Sequence, residues 1–206
     1  MDSRETILSA ILKTGYDKVA MPETDIFTNE TEGLIDRYIA VATGVGGKVF
    51  QISDIREIED IIKPQFKAED RIISNISELT FAENISETVN DPHVLANVEL
   101  AILKAHFAVA ENSAIWVTEE LTGHRVLPFV CQHLALIINK NNIVANMHQA
   151  YERIGMDNYN WGTFIAGPSK TADIEQSLVL GAHGPRSLTV FLYDKTVSTP
   201  NYFIVL

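Results

Sequence analysis

Helical and extended segments alternate along the first third of the chain, and this constrains the fold more than any other feature. Asn29 and Glu32 are placed to cap a helix whose Ile35, Tyr38, Ile39 and Ala42 share one face. Gly44-Val45-Gly46-Gly47 ends it, and Lys48 to Ile52 reads as a strand. Ser53 then caps a short helix with Ile55, Ile58 and Ile62 inward, stopped by Pro64, and Arg71 to Ser74 is a second strand. Such alternation predicts an α/β fold built on a mainly parallel sheet.

The second half is richer in strands. Phe107 to Ala110 and Ala114 to Thr118 read as a hairpin turning at Asn112-Ser113. Leu127 to Val130, Leu134 to Ile138, Trp161 to Ala166 and Leu188 to Tyr193 read as further strands. Asn142 is placed to cap a helix carrying Ile143, Met147, Tyr151 and Ile154, and a short helix is expected from Asp173 to Leu180. No linker divides the chain, so residues 1–206 read as one domain. A helix over residues 2–14 is an appendage, with Asp2 and Glu5 at capping-box spacing and an apolar stripe of Ile7, Leu8, Ile11 and Leu12. The tail 197–206 ends in Phe203-Ile204-Val205-Leu206, apolar enough for an edge strand or a contact in a homo-oligomer.

Charge and cysteine content narrow the partners. A formal net charge of -11 repels phosphate backbones, so neither nucleic acid nor an anionic membrane is an expected partner. No run of about 18 apolar residues suggests membrane insertion, and the start lacks the basic residues of a secretion signal. Cys131 is the only cysteine, which fits a reducing compartment, the cytoplasm. One thiol cannot hold an iron–sulfur cluster, so no such cofactor is expected on this chain alone. The six histidines form no HxH or HExxH pattern, and no metal site is expected.

Chemistry concentrates in a few places. Gly44 to Gly47 ends a helix and opens a strand, the reverse of a dinucleotide loop, so it reads as a helix terminus. Gly167-Pro168-Ser169-Lys170-Thr171 lies between a strand and the helix expected near Asp173. Free N–H groups at a helix start, two hydroxyls and a lysine would attract a carboxylate or phosphate, at the carboxyl ends of the strands. The plainer reading is a turn whose Ser169, Thr171 or Asp173 caps the helix. His183-Gly184-Pro185-Arg186 follows, between glycines that permit a sharp reversal. Arg186 can grip a carboxylate with two prongs, or lie on the surface after a turn. His183 is either an acid/base group or a hydrogen-bonded loop residue. Glu111, beside an apolar strand, is either a nucleophile or base, or a turn residue facing water.

At these residues the chain resembles a known family. FIAGPSKTADIEQSLVLGAHGPRSLTVFL is similar to the signature of the LUD domain in its lactate-utilization protein C branch. FAVAENSAIWV aligns with that family's A-x-AETGT hairpin, and LPFVCQHLALIINKNNIV with its LPxxHIxVV strand. The resemblance implies a three-layer α/β sandwich with a mainly parallel sheet, like sugar-phosphate isomerases and CoA transferases. It also implies a role in bacterial oxidation of L-lactate to pyruvate, beside iron–sulfur lactate-utilization subunits that would carry the clusters. The expected ligand is a small carboxylate or a phosphate-bearing molecule, held by Gly167, Ser169, Lys170, Thr171, His183, Gly184 and Arg186, with Glu111, Asp173 and Glu175 as catalytic candidates. The chain departs from the family where Glu-Thr-Gly-Thr becomes Glu111-Asn112-Ser113-Ala114, losing a glycine and a hydroxyl. Two other readings stay open: an independent acyl- or CoA-handling enzyme using Glu111, and a non-catalytic binding or scaffold subunit.

Overall fold

The computed structural model describes residues 2–14, 19–20, 22, 32–85, 91–155, 159–172 and 178–194. Its centre is a six-stranded sheet made of β1 (Lys48–Ile52), β2 (Ile72–Ser74), β3 (Glu83–Asn84), β4 (Leu100–Lys104), β7 (His133–Asn139) and β12 (Ser187–Tyr193). The order is β1-β12-β7-β4-β2-β3, and every neighbouring pair is parallel. The central strands are buried on both faces, which is why β7 and β12 are nearly continuous apolar runs. Residue parity still sorts their side chains. Leu134, Leu136, Ile138, Leu188, Val190 and Leu192 enter one core, while Ala135, Ile137 and Phe191 enter the other.

Each face has its own cover, which gives three layers. On one side α3 (Glu57–Ile62) buries Ile58 and Ile62 against the sheet. On the other side α2 (Leu34–Gly44) buries Tyr38 and Ala42. Beside α2 lies a four-stranded sheet of β5 (Phe107–Val109), β6 (Ile115–Thr118), β8 (Ile143–Val144) and β9 (Gly162–Ile165), in the order β8-β5-β6-β9. Ala108, Ile115 and Val117 face inward to the shared core. The alternate residues Phe107, Val109 and Trp116 face outward, under Ala150 and Ile154 of α6 (Met147–Ile154).

Several elements differ from the sequence reading, each for a local reason. Two single helical turns, α4 (Glu119–Thr122) and α5 (Leu127–Val130), precede α6, and α5 stands where a strand was expected. Pro128 sits in its first turn, where a missing N–H costs nothing, and Val130 donates its N–H to the Val126 carbonyl at 3.0 Å. A four-residue apolar run carries no periodicity to separate the two states. The helix expected from Asn142 starts later: Ile143–Val144 is a strand pairing parallel with β5. Asn146 is the true cap, its Oδ1 accepting the Gln149 N–H at 3.0 Å while Gln149 Oε1 accepts the Ala145 N–H at 2.8 Å.

The short helix expected through Leu180 is replaced there by a strand. β10 (Lys170–Ala172) and β11 (Leu178–Leu180) form an antiparallel pair, with Thr171 opposite Val179. At the other end of the chain, α1 (Ser3–Lys13) forms as expected. Asp2 accepts from the Arg4 N–H rather than pairing with Glu5. The stripe of Ile7, Leu8, Ile11 and Leu12 is exposed, and the helix contributes nothing to the core. The second helix begins after Gly33 with no side-chain cap. Ser53 donates its backbone N–H to the Glu57 carboxylate at 3.0 Å, so Glu57 organises the start of α3. The tail 197–206 lies outside the described residues.

Candidate functional site

The motif segments converge through the loop that enters β12. Ser169 N–H donates to the Pro185 carbonyl at 2.8 Å, and Gly181 N–H donates to the Ser169 carbonyl at 3.0 Å. The loop is anchored to the main sheet because Arg186 N–H donates to the Gln132 carbonyl at 2.8 Å, one residue before β7. Two glycines are needed for this packing. A Cβ on Gly181, whose φ is +80°, would sit 2.3 Å from Arg186 Cγ, and one on Gly184 would sit 3.3 Å from Ser169 Cβ.

The loop lies at the amino ends of the parallel strands, which corrects the expected carboxyl-end position. β1, β7 and β12 start level, with Ser187 opposite His133 and Lys48 opposite Thr189. Gly167 and Lys170 reach the turn leading into β1. Lys170 Nζ donates to the Val45 carbonyl at 2.6 Å, at the C-terminus of α2, where a cation also meets the negative end of the helix. Gly167, with φ +65°, packs on Val45, where a Cβ would come within 3.2 Å of both Val45 Cγ2 and its carbonyl oxygen. Lys170–Ala172 is a strand, so Thr171 is not in the first turn of a helix, and the helix start expected near Asp173 lies outside the described residues. Thr171 is half-buried, and Lys170, His183 and Arg186 are exposed. Asp173 and Glu175 lie outside the described residues.

Beside this loop is a small pocket of about 160 Å³ lined by Lys48, Gln65, Phe66, His133, Ser187 and Thr189, with other side chains behind. His133 Nδ1 and Ser187 Oγ are 2.7 Å apart. Burial pulls the His133 pKa down, Glu99 opposes this at 3.5 Å from Nε2, and Arg186 and Lys48 add to the lowering. His133 is therefore mainly neutral at pH 7. None of these pocket residues was singled out from the sequence. Their signal is topological, because Lys48, His133, Ser187 and Thr189 sit at or near the starts of parallel strands that only strand order brings level, while Gln65 and Phe66 come from the segment after α3.

Glu111 occupies the turn between β5 and β6. Register puts Ile115 opposite Ile165, so this turn and Gly167 share one end of the smaller sheet. The Glu111 carboxylate accepts the Met147 N–H at 3.0 Å, in the first turn of α6, a favourable place for an anion. Its own N–H donates to the Ala145 carbonyl at 3.0 Å. The departure from the family pattern is absorbed locally. Ser113 takes φ +59°, the left-handed conformation a glycine would supply, while Asn112 Oδ1 accepts the Ala114 N–H at 3.0 Å. The Ser113 hydroxyl is buried without a hydrogen-bond partner among the described residues. A second, larger cavity opens at the other end of the same sheet, around His106, Thr118 and Arg153.

Comparison with known proteins agrees with this architecture. The chain is similar to the lactate utilization protein C of Oceanobacillus iheyensis, 27% identical over 107 residues, which cover 49% of this chain and 46% of that one. It is also similar to the lactate utilization protein C of Geobacillus kaustophilus, 29% identical over 166 residues, which cover 76% of this chain and 65% of the relative. The chain spans about half the length of several curated relatives that it matches. The crystal structure of a DUF162 family protein from Deinococcus radiodurans superposes with a TM-score of 0.55 at 16% identity, covering 78% of this chain and 96% of that one, which shows a shared fold. The LUD domain model matches residues 80–193, from just before β3 to the end of β12, and by that match the chain belongs to the LUD domain family.

Proposed function

We propose that this chain is the lactate-utilization protein C-like member of a system that oxidises L-lactate to pyruvate. Iron–sulfur subunits accept the electrons, and this chain binds a small carboxylate at the amino edge of its parallel sheet. The observation that carries the reading is the coincidence of a family match running through Gly167 to Arg186 with cationic side chains gathered at this edge, beside the carboxylates of Glu99 and Asp70. In a chain of net charge -11, Lys48, Lys170 and Arg186 all sit on this one edge.

The chemistry fits a three-carbon hydroxy acid. Ser187 and Thr189 offer hydroxyls from the pocket wall, and Arg186, which is outside that wall but close enough to His133 to lower its pKa, offers a forked donor to the carboxylate. A volume of about 160 Å³ suits such a molecule and is too small for a nucleotide. His133, kept neutral by burial, is the group there able to take up a proton. Oxidation also releases two electrons. A single cysteine cannot hold a cluster to receive them, and the proposal passes them to clusters on partner subunits. The acyl-transfer reading of Glu111 gains no support from geometry, since that carboxylate is engaged with the start of α6.

Calorimetric titration with L-lactate and with pyruvate tests the binding half of the reading. Saturable binding is expected, weakened about tenfold or more by Arg186→Gln, because a charged hydrogen bond is worth roughly 1.5–3 kcal/mol. Unchanged affinity in that variant would remove Arg186 and this edge from the proposal.

A further inference from the structure

The cavity at the far end of the smaller sheet is about 830 Å³, within the span of cofactor pockets, about 300–1,000 Å³, and far larger than a hydroxy acid needs. It lies toward the carboxyl ends of the parallel strands. His106 follows β4 by two residues, and Asn75, one residue after β2, donates to the Leu121 carbonyl in the turn after Thr118 at 2.7 Å. In open α/β sheets this is the edge where ligands collect.

Its walls are aromatic. Trp116 packs edge-on to Tyr159 with centroids 5.4 Å apart, and tilts against Phe164 at 4.8 Å. Trp161 meets Phe129 at 5.9 Å. Trp116 lies directly on the Gly162 backbone, where a Cβ would be 2.5 Å from the ring. Both tryptophans of the chain line this one cavity. Tyr159 is 44% exposed, unusual for an aromatic side chain packed among other rings, and leaves a ring edge at the mouth.

Polar groups stand at fixed places among the rings. Arg153 holds its guanidinium 5.0 Å above the Phe107 ring, and its Nη2 donates to Asn142 Oδ1 at 2.9 Å. Asn142 in turn donates to the His106 carbonyl at 3.2 Å, so the cation is braced rather than swinging. His106 Nε2 and Thr118 Oγ1 are 2.8 Å apart, and Glu119 is neutralised by Arg125 at 2.9 Å, leaving Glu120 as a second acceptor on the wall.

We propose that this cavity is a second ligand site, for a planar heteroaromatic ring joined to a phosphate. The ring lies among Trp116, Tyr159 and Trp161, the phosphate meets Arg153, and ring N–H groups face Glu120. The net acidic charge favours a single nucleotide-sized anion over a polymer, whose many phosphates would be repelled. The inference is independent of the lactate reading, because it uses no residue of the amino edge.

The test is calorimetry on the full chain with three probes: flavin mononucleotide, riboflavin and adenosine monophosphate. Tryptophan fluorescence is read in parallel, since both tryptophans report from the cavity. One of the two phosphorylated probes is expected to bind saturably with Kd below about 100 μM, and the choice between them identifies the ring. If that probe is the flavin, riboflavin is expected to bind at least about tenfold more weakly. Arg153→Met is expected to erase the benefit of the phosphate, whereas Arg186→Gln leaves it intact. Absence of binding by both phosphorylated probes up to millimolar concentration overturns the proposal. Where the flavin is the probe that binds, equal affinity for flavin mononucleotide and riboflavin overturns it as well, a comparison on the unaltered protein that does not depend on any variant folding.

Discussion

Replacing Gly162 with alanine tests whether the aromatic cavity is held as tightly as its geometry implies. A Cβ at this position would lie 2.5 Å from Trp116 Cζ2 and 2.6 Å from Cη2. Carbon atoms pack best at about 3.5–4.0 Å, so the ring must retreat by about 1 Å or more. It has little room, being only 8% exposed and held between Phe164 and Tyr159. Overpacking of this kind costs about 1–3 kcal/mol. Losing a strand glycine returns about 0.5–1 kcal/mol of backbone entropy. The net expectation is a destabilisation of about 0–2.5 kcal/mol, or up to roughly 10 °C in Tm for a domain of this size. Urea titration followed by circular dichroism measures the energy, and the near-ultraviolet band of tryptophan measures the displacement. A variant as stable as the parent, with an unchanged tryptophan band, would refute the placement of Trp116 on the Gly162 backbone.

Other residues give independent checks. The Tyr38 hydroxyl is fully buried with no hydrogen-bond partner among the described residues, and burial pushes its pKa up. Tyr38→Phe is therefore expected to leave stability unchanged or raise it by about 1 kcal/mol, read by urea titration, since an unsatisfied buried hydroxyl is a cost. Cys131 is 1% exposed and its pKa is pushed up to about 12, so it should resist iodoacetamide in the native state and react fully in urea. Burial lowers the pKa of both His106 and His133, so the unfolded chain binds protons more readily. Their contribution to stability is present above about pH 6.5 and is lost as the pH falls below it. A Tm series from pH 7.5 to pH 5.5 should fall with acid, and His106→Gln should flatten part of that slope.

The parallel sheet was legible because β1, α3 and β2 alternate periods of two and 3.6, and because β12 is a seven-residue run apolar at its centre. The turn at Asn112-Ser113 was legible from its residue types. What escaped were short elements whose state is set by packing. Leu127–Val130 contains too few residues to show a period, and Leu178–Leu180 became a strand because β10 lies beside it. The site was legible only in part. The residues of Gly167 to Arg186 do gather, through hydrogen bonds between Ser169, Gly181 and Pro185, but at the strand ends opposite to those expected. His133, Ser187 and Lys48 carry no local motif, and only the register of three strands brings them together. The cavity around Trp116 draws on β5, β6, the helical turn Glu119–Thr122, α6 and the segment before β9, five places no spacing rule connects.

Reduction of a dye by L-lactate, followed in the presence and absence of the cluster-bearing subunits, is the most direct test of the proposed role. No turnover is expected from this chain alone, turnover from the reconstituted mixture, and a large loss when Arg186→Gln replaces the parent chain. Dye reduction by the isolated chain, or a mixture equally active with this chain left out, would contradict it.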